Sequence, residues 1–392
     1  MSGTRSALQP GWTEEEGASL FAFVTSGSRG WAKYYSDQGP LFLRIGNLNR
    51  GSISLDLQDI QRVAPPKGAE GLRTRVAPND ILVSITADLG LVAVIPNGCG
   101  EAYINQHVAL ARPQSDVNSK YVAWFIASPE GQDQLSALQR GATKKGLGLD
   151  DIRSLRVPMA PPDAQNQIVA EIEKQFTRLD AGVEALKRLQ AHLRRYRAAV
   201  LKAACEGAYA SPSSRGEWVV VPFDAALEVV SDHGKRVAQA EYMPEGELAV
   251  VDQGEMLVGG FTNDVSMQYV GPLPILVFGD HTRRFKYVDF PFAVGAQGVK
   301  LLRPKGDATH KFLFYALSSA KFEDRGYSRH FQFLKKTDLL IPPREAQEAA
   351  VAEIESRMSV LDSAVRATSE ALQRSGRLRA AILRAAFDGH LI

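Results

Sequence analysis

The sequence predicts an α+β chain built as a tandem duplication, with two globular domains joined by two long antiparallel coiled-coil helices. Three observations predict it. First, QNQIVAEIEKQFTRLDAGVEAL, starting at Gln165, aligns without gaps on QEAAVAEIESRMSVLDSAVRAT, starting at Gln347, an offset of 182 residues; RYRAAVLKAACEG from Arg195 then falls on RLRAAILRAAFDG from Arg377 at the same offset. Second, the regions ahead of these elements match at an offset of 191: Arg112-Pro113 falls on Arg303-Pro304, and Lys120-Tyr121 on Lys311-Phe312. The first copy therefore carries nine extra residues between about 128 and 165. Third, apolar residues in both repeated elements step by three and four, the seam of a coiled coil.

The elements follow in order. In the first domain, residues 1–160, the runs LFLRIGN, ILVSIT and LVAVIP are short, apolar and β-branched, separated by Gly, Asn and Pro turns, and YVAWFIAS closes the domain as a helix. The first long helix, residues 161–208, starts at Pro161-Pro162 and stops at Gly207. Its seam is Ile168, Ile172, Phe176, Leu179, Val183 and Leu186. At 1.5 Å per residue such a helix is about 65 Å long, more than one small domain can cover, so it serves as a spacer or partner surface. The second domain, residues 209–341, opens on the polar linker Ser211 to Glu217, continues through LAVVD, ILVFGD and FKYV, and closes with the helix KFLFYALSS. Pro342-Pro343 and Gly389 bracket the second long helix in residues 342–392, whose seam is Val351, Ile354, Met358, Leu361, Val365, Thr368 and Leu372. Ile172, Phe176, Leu179, Val183, Ile354, Met358, Leu361 and Val365 are the expected helix-pair and partner interface.

Composition excludes several classes. At about 150 residues per domain, 392 residues accommodate two globular units and a connector. A net charge of +2 from 46 basic and 44 acidic residues leaves any nucleic-acid binding to local patches. Cys99 and Cys205 are the only cysteines and lack metal spacing, which argues against a disulfide framework or structural zinc and for a reducing cytoplasm. The start, MSGTRSALQPGW, has no signal-peptide core, and no stretch approaches the roughly 20 apolar residues of a membrane span, so neither export nor anchoring is expected.

Catalytic motifs are missing. The Pro-Pro pairs occur in VAPPKG, MAPPDA and LIPPRE, none of which is the Asn-Pro-Pro-aromatic motif of an adenine methylase. Gly234-Lys235 runs into Arg236 and lacks the leading glycine of a phosphate loop. Pro162-Asp163 has no downstream Glu-x-Lys, and the seven histidines have no zinc spacing, so no catalytic residue and no metal ligand is assigned. Two clusters stay open. Gly279-Asp280-His281-Thr282-Arg283 reads as a catalytic loop, as a turn in which Asp280 caps backbone amides, or as a base or phosphate contact. Asn105-Gln106-His107 after Tyr103 is a weaker catalytic candidate, and its alternation fits a strand whose polar side chains pair locally.

The helical signature of Pro-Pro, Gln, VAEIE, Leu-Asp and a terminal LKAACEG or LRAAFDG resembles that of the specificity subunits of type I restriction-modification systems. FLRIGNLNRGSI, NDILVSITADLG and AYINQHVALARP in the first domain, and PILVFGDHTRRFKYVDFPFAVGAQGVKLLRP and GYSRHFQFLKKTDLLIPP in the second, resemble that family's target-recognition domains, so the likeness covers essentially the whole chain. It implies a non-catalytic subunit in which each domain reads one half of a split double-stranded DNA site and the paired helices set the unread spacer. Two methylase subunits would dock on the helices and transfer methyl from S-adenosylmethionine to adenine N6. Restriction subunits would supply ATP- and Mg-dependent translocation and cleavage, leaving this chain without a cofactor of its own. Departures are small: Asn79-Asp80 replaces the usual Gly-Asp before ILVSIT, and Cys205 stands where the other copy has Phe387.

A bipartite reader needs a rigid spacer, because two half-sites face one side of a duplex only about one turn, roughly 34 Å, apart. Base reading calls for Arg or Lys against guanine and Asn or Gln against adenine. The expected DNA contacts are Ser28, Arg29, Trp31, Lys33, Tyr34, Thr143, Lys144 and Lys145 in the first domain, and His281, Arg283, Arg284, Tyr327, Arg329 and His330 in the second. About half of such contacts go to phosphate. The basic run His192, Arg194, Arg195 and Arg197 is expected to be helix surface. The rival reading is a non-DNA coiled-coil scaffold, favoured if these loops are buried or cancelled by acids.

Overall fold

A computed structural model describes residues 8–65, 68–139, 146–208, 218–295, 298–320 and 329–392. The first copy runs β1 (Thr13–Glu16), α1 (Gly17–Leu20), β2 (Phe21–Ser26), β3 (Tyr35–Leu43), β4 (Arg62–Val63), α2 (Ala69–Thr74), β5 (Ile81–Ser84), β6 (Val92–Val94), β7 (Ala102–Ile104), β8 (Val108–Pro113), α3 (Ser119–Ala127), α4 (Pro129–Leu138), α5 (Leu149–Arg153), β9 (Arg156–Met159) and α6 (Pro162–Cys205). The second runs β10 (Val219–Pro222), α7 (Phe223–Ala226), β11 (Leu227–Val230), β12 (Leu248–Val251), β13 (Gly260–Thr262), β14 (Ile275–Gly279), β15 (Phe285–Val288), β16 (Phe292–Val294), β17 (Val299–Pro304), α8 (His310–Ser319), α9 (Phe331–Leu334), β18 (Asp338–Ile341) and α10 (Arg344–Phe387).

The duplication is written into the topology. Sheet order β2-β8-β5-β6 in the first copy is β11-β17-β14-β15 in the second; β4-β3-β7 is β13-β12-β16; the pair β1-β9 is β10-β18. Even the mixed pairing repeats, with β3 parallel to β7 and β12 parallel to β16. The helix after β8 or β17 is capped alike: Asn118 Oδ1 accepts from Tyr121 N–H (3.1 Å) and Thr309 Oγ1 from Phe312 N–H (3.4 Å). A buried glutamine opens each long helix, Gln165 Nε2 donating to the Ala160 carbonyl (2.7 Å) and Gln347 Nε2 to that of Pro342 (2.9 Å). The interval expected to hold the nine extra residues contains α4.

The chain folds as two units, Met1–Leu186 with Glu370–Ile392, and Lys187–Ser369, a division that cuts through both long helices. Each unit pairs the first part of one helix with the last part of the other. In the first, the Arg379 guanidinium bonds Asp180 and lies 4.6 Å from the centre of the Phe176 ring. In the second, Gln190 Nε2 donates to Ser369 Oγ (3.2 Å) and an Arg197 N–H to Asp362 (2.6 Å). Within each unit residue numbers rise on one helix as they fall on the other, so the pairing is antiparallel.

The seam residues divide into two kinds. Ile172 and Phe176 are buried in the main core of the first unit, with Phe176 edge-on to Trp124 of α3 (5.0 Å), beside Ile382, Leu383, Ala386 and Phe387 of α10. Each such burial stabilises by about 1.5–3 kcal/mol. Ile354, Met358 and Leu361 are buried against Val200, Ala204 and Cys205. Leu179, Val183 and Val365, by contrast, are not closed off by the opposite helix. Leu179 and Val183 line an apolar groove of about 700 Å³ whose other walls include Gly182, Ala371 and Ala381, residues too small to fill it. Val365 keeps 36% of its surface exposed.

Candidate nucleic-acid interface

The loops that carry most of the chemistry leave one end of each four-stranded sheet. In the first unit they follow β2 (residues 27–30), follow β5 (85–90) and precede β8 (105–107). Gly27 N–H donates to the Asn105 carbonyl (3.2 Å), and a Cβ on Gly27 would lie 2.3 Å from the Asn105 backbone, so only glycine lets these loops touch. Arg73 of α2 fastens the first loop, donating to Thr25 Oγ1 (2.6 Å), to the Ser26 carbonyl (2.9 Å) and to Ser28 Oγ (2.9 Å). Beside them the His107 ring sits between Thr86 Oγ1 (2.7 Å from Nδ1) and Gln106 Nε2 (2.8 Å from Nε2).

Strand register aligns the second unit residue by residue. Ser84 pairs with Val108 as Gly279 pairs with Val299. The Ile85 N–H bonds the His107 carbonyl (3.0 Å) as the Asp280 N–H bonds that of Gly298 (2.7 Å), and Leu147 N–H bonds the Ile85 carbonyl as His330 N–H bonds that of Asp280 (both 3.0 Å). Thr86 therefore corresponds to His281, His107 to Gly298, and Leu147 to His330. At the corresponding ends lie Ser231 to Arg236, Asp280 to Arg284, and Gly298. The His281 N–H bonds Gln253 Oε1 (3.3 Å), and Thr282 Oγ1 donates to the Gln253 carbonyl (2.6 Å). Lys286 is buried on β15 with Asp252 3.4 Å away; burial pushes its ammonium below the ordinary lysine value, and Asp252 opposes that shift.

The expected contacts separate on this geometry. Arg29 and Lys33 are exposed, Lys33 lying 5.0 Å from the centre of the half-buried Tyr34 ring; Ser28 is half-buried. Trp31 is corrected: it is 2% exposed, stacked on Phe42 (5.4 Å), and its Nε1–H donates to Glu70 (2.7 Å). That bond, with a further one from Ser28, holds the Glu70 carboxyl below its usual value. His330 is corrected too, since it occupies the core position that Leu147 fills in the other copy and is 2% exposed. Arg329 beside it is exposed. His281 and Arg283 are half-buried, Arg283 at φ +60°, and exposed Arg284 is paired with Glu255 (3.0 Å). Asp280 is buried and accepts from Phe331 N–H (2.7 Å), the capping role offered by one of its three readings. Thr143, Lys144, Lys145 and Tyr327 lie outside the described residues.

Arg73, Thr86, His233 and Lys235 escaped the sequence reading: pairing of strands distant in sequence brings Thr86, His233 and Lys235 to these ends, and Arg73 reaches the first of them from α2. His192, Arg194 and Arg195 are exposed on α6, and Arg197 is the partner of Asp362. Among the described residues no cluster of His, Cys, Asp and Glu is placed to hold a metal ion, and no helix is long and apolar enough to cross a membrane.

Two copies of one sheet topology, each ending in loops of different polar side chains and each tied into a shared helix pair, define a duplicated recognition protein. Residues 73–191 match the family model described as the type I restriction modification DNA specificity domain. The chain is similar to the StySPI specificity subunit of Salmonella potsdam, 21% identical over 99% of this chain and 90% of that one, and to the EcoKI specificity subunit of Escherichia coli (strain K12), 23% identical over 44% of this chain and 37% of that one. Its fold matches a chain of a type I R-M system solved to explain complex assembly and conformational transition (TM-score 0.74, 17% identity, 98% of this chain and 100% of that one). It also matches the HsdS subunit of Thermoanaerobacter tengcongensis (TM-score 0.59, 16% identity, all of both chains). Over residues 73–191 the chain carries the signature of a type I restriction modification DNA specificity domain, and over nearly its whole length it is similar to a type I restriction enzyme specificity subunit.

Proposed function

We propose that this chain reads a two-part, asymmetric double-stranded DNA site, one part by each domain, and that its helix pair holds the methylase and restriction subunits of the complex in the cytoplasm. The chain contributes recognition and no catalytic group; S-adenosylmethionine, ATP and Mg belong to the partner subunits. The observation that carries the reading is the contrast within the duplication: topology, caps and helix starts are kept, while the loops at the sheet ends carry Ser28, Arg29, Gln106 and His107 in one copy and His233, Lys235, His281 and Arg329 in the other. A protein selected for assembly alone has no reason to diversify there. Divergent loops on a repeated frame suit an asymmetric sequence read by a pseudo-symmetric protein. The scaffold reading would need those loops buried, and Arg29, Lys33, Lys235 and Arg329 are exposed.

The test is single-molecule methylation sequencing of a host carrying the chain with its cognate methylase subunit. The expected result is adenine methylation at a split site that vanishes when this chain is omitted. Methylation without the chain, or at a continuous site, would contradict the reading.

A further inference from the structure

We propose that Gln106, held by a Thr86–His107 relay, is a specificity-determining residue that reads an adenine in the half-site of the first domain. The inference rests on the function proposed above and names a residue for it. An amide nitrogen has hydrogens to give and no lone pair to accept with, so the 2.8 Å contact runs from Gln106 Nε2–H to His107 Nε2. The neutral ring then carries its proton on Nδ1 and donates it to Thr86 Oγ1, 2.7 Å away. One amide hydrogen of Gln106 is engaged; its carbonyl and second N–H remain. That acceptor–donor pair matches N6 and N7 of adenine in the major groove.

The site is also stiff, as base reading requires. Asn105 is 8% exposed, its Oδ1 accepts from His107 N–H (3.1 Å), and its carbonyl accepts from Gly27. Gln106 stands on this locked turn at the end of the sheet and is only half-buried.

The sister copy supports the assignment independently. At the offset of 191, Gln106 corresponds to Gln297, although its neighbours Asn105 and His107 have become Ala296 and Gly298. The imidazole is kept in space and supplied from the other loop. His281 stands where the first copy has Thr86, and a Cβ on Gly298 would lie 3.0 Å from its Cδ2. Gly298, at φ +91°, leaves room for that ring.

The experiment uses the complete complex, the chain with its cognate methylase, acting on a plasmid library randomised over both half-sites. Gln106→Ala is expected to relax discrimination about 5- to 150-fold at one A·T position of one half-site, the range for a lost bidentate contact, and to leave the other half-site unchanged. Gln106→Glu keeps the size, so it tests the idea even if the alanine variant folds poorly. Its carboxylate accepts from cytosine N4, and the preference at that position should move toward cytosine. An unaltered preference in Gln106→Glu, or a loss spread evenly over all sequences in both variants, would overturn the inference. If the wild-type complex shows no two-part preference, the proposed function fails with it. If the preference is present and neither variant alters it, only the role of Gln106 fails.

Discussion

The two copies keep the same framework with different atoms. Arg112 and Arg303 open the same Arg-Pro pair on β8 and β17, yet Arg112 forks onto Asp80, whose side chain is 1% exposed, with both contacts at 2.7 Å, while Arg303 reaches the half-exposed Glu228 (3.2 Å) and the Tyr269 hydroxyl (3.3 Å). Phe176 and Met358 hold equivalent seam positions, one as an aromatic edge against Trp124 and the other in a small cluster with Val200 and Ala204. What the duplication preserves is topology and the burial of particular positions; the partners that satisfy them have been exchanged. Loop chemistry is free to change on such a frame.

The largest difference between the copies is expected in their cores. Phe176→Ala should cost about 3–5 kcal/mol in the first unit and Met358→Ala about 2–5 kcal/mol in the second, read as unit-specific loss of amide protection in hydrogen exchange. Equal loss of protection throughout the chain from either change would show that the units do not respond separately. Next come the arginines. Arg112→Ala leaves a buried carboxylate without its fork and should cost about 2–3 kcal/mol by denaturant titration, whereas Arg303→Ala, with an exposed partner, should cost about 0–1 kcal/mol. Equal losses would mean that Asp80 finds water as easily as Glu228 does.

A smaller effect distinguishes the copies by pH. At the first position of α8, His310 is held below its ordinary 6.5, first by burial and then by Arg303, and its counterpart in α3 is Ser119, which does not titrate. The unfolded chain binds a proton at His310 more readily than the native one does, so stability rises with pH through this window. The contribution is complete above about 6.5 and is lost as pH falls through the lower native value. Acidification from pH 7 should loosen the Lys187–Ser369 unit in hydrogen exchange, and His310→Ser should remove that part of the pH dependence. An unchanged pH profile in the variant would assign the effect to another group.

Much of the framework was legible because its signals are local. The three-and-four stepping from Ile168 and Val351, the proline pairs and the terminal glycines marked both long helices, and β-branched runs such as ILVSIT and ILVFGD marked strands. The site was less so. Trp31 sits in a basic-aromatic stretch that suggests DNA, but its burial is decided by Phe42 and Tyr103, and the hydrogen bond to Glu70 spans 39 residues of sequence. His330 owes its burial to a register equivalence with Leu147. Gln106 and His107 do pair locally, but on a turn between β7 and β8 and not within a strand as expected, and the second partner of the His107 ring, Thr86, stands 21 residues upstream. The open groove at Leu179 and Val183 followed from Gly182 and Ala371, whose small size weighs little in a heptad pattern.

If recognition resides in the domains and assembly in the helices, a methylation profile over randomised half-sites separates the two. Two variants suffice, each as the full complex: Arg329→Ala in the second domain and a paired Leu361→Ser, Val365→Ser change on α10. The account predicts that Arg329→Ala alters preference in one half-site only, by about 1–3 kcal/mol at one position for a base contact, or weakens all sequences alike and lowers the salt slope by about one unit for a phosphate contact. The helix variant should lower the total methylation and leave the preferred bases as they were. A helix variant that rewrites the bases, or an Arg329 variant that shifts both half-sites equally, would contradict it.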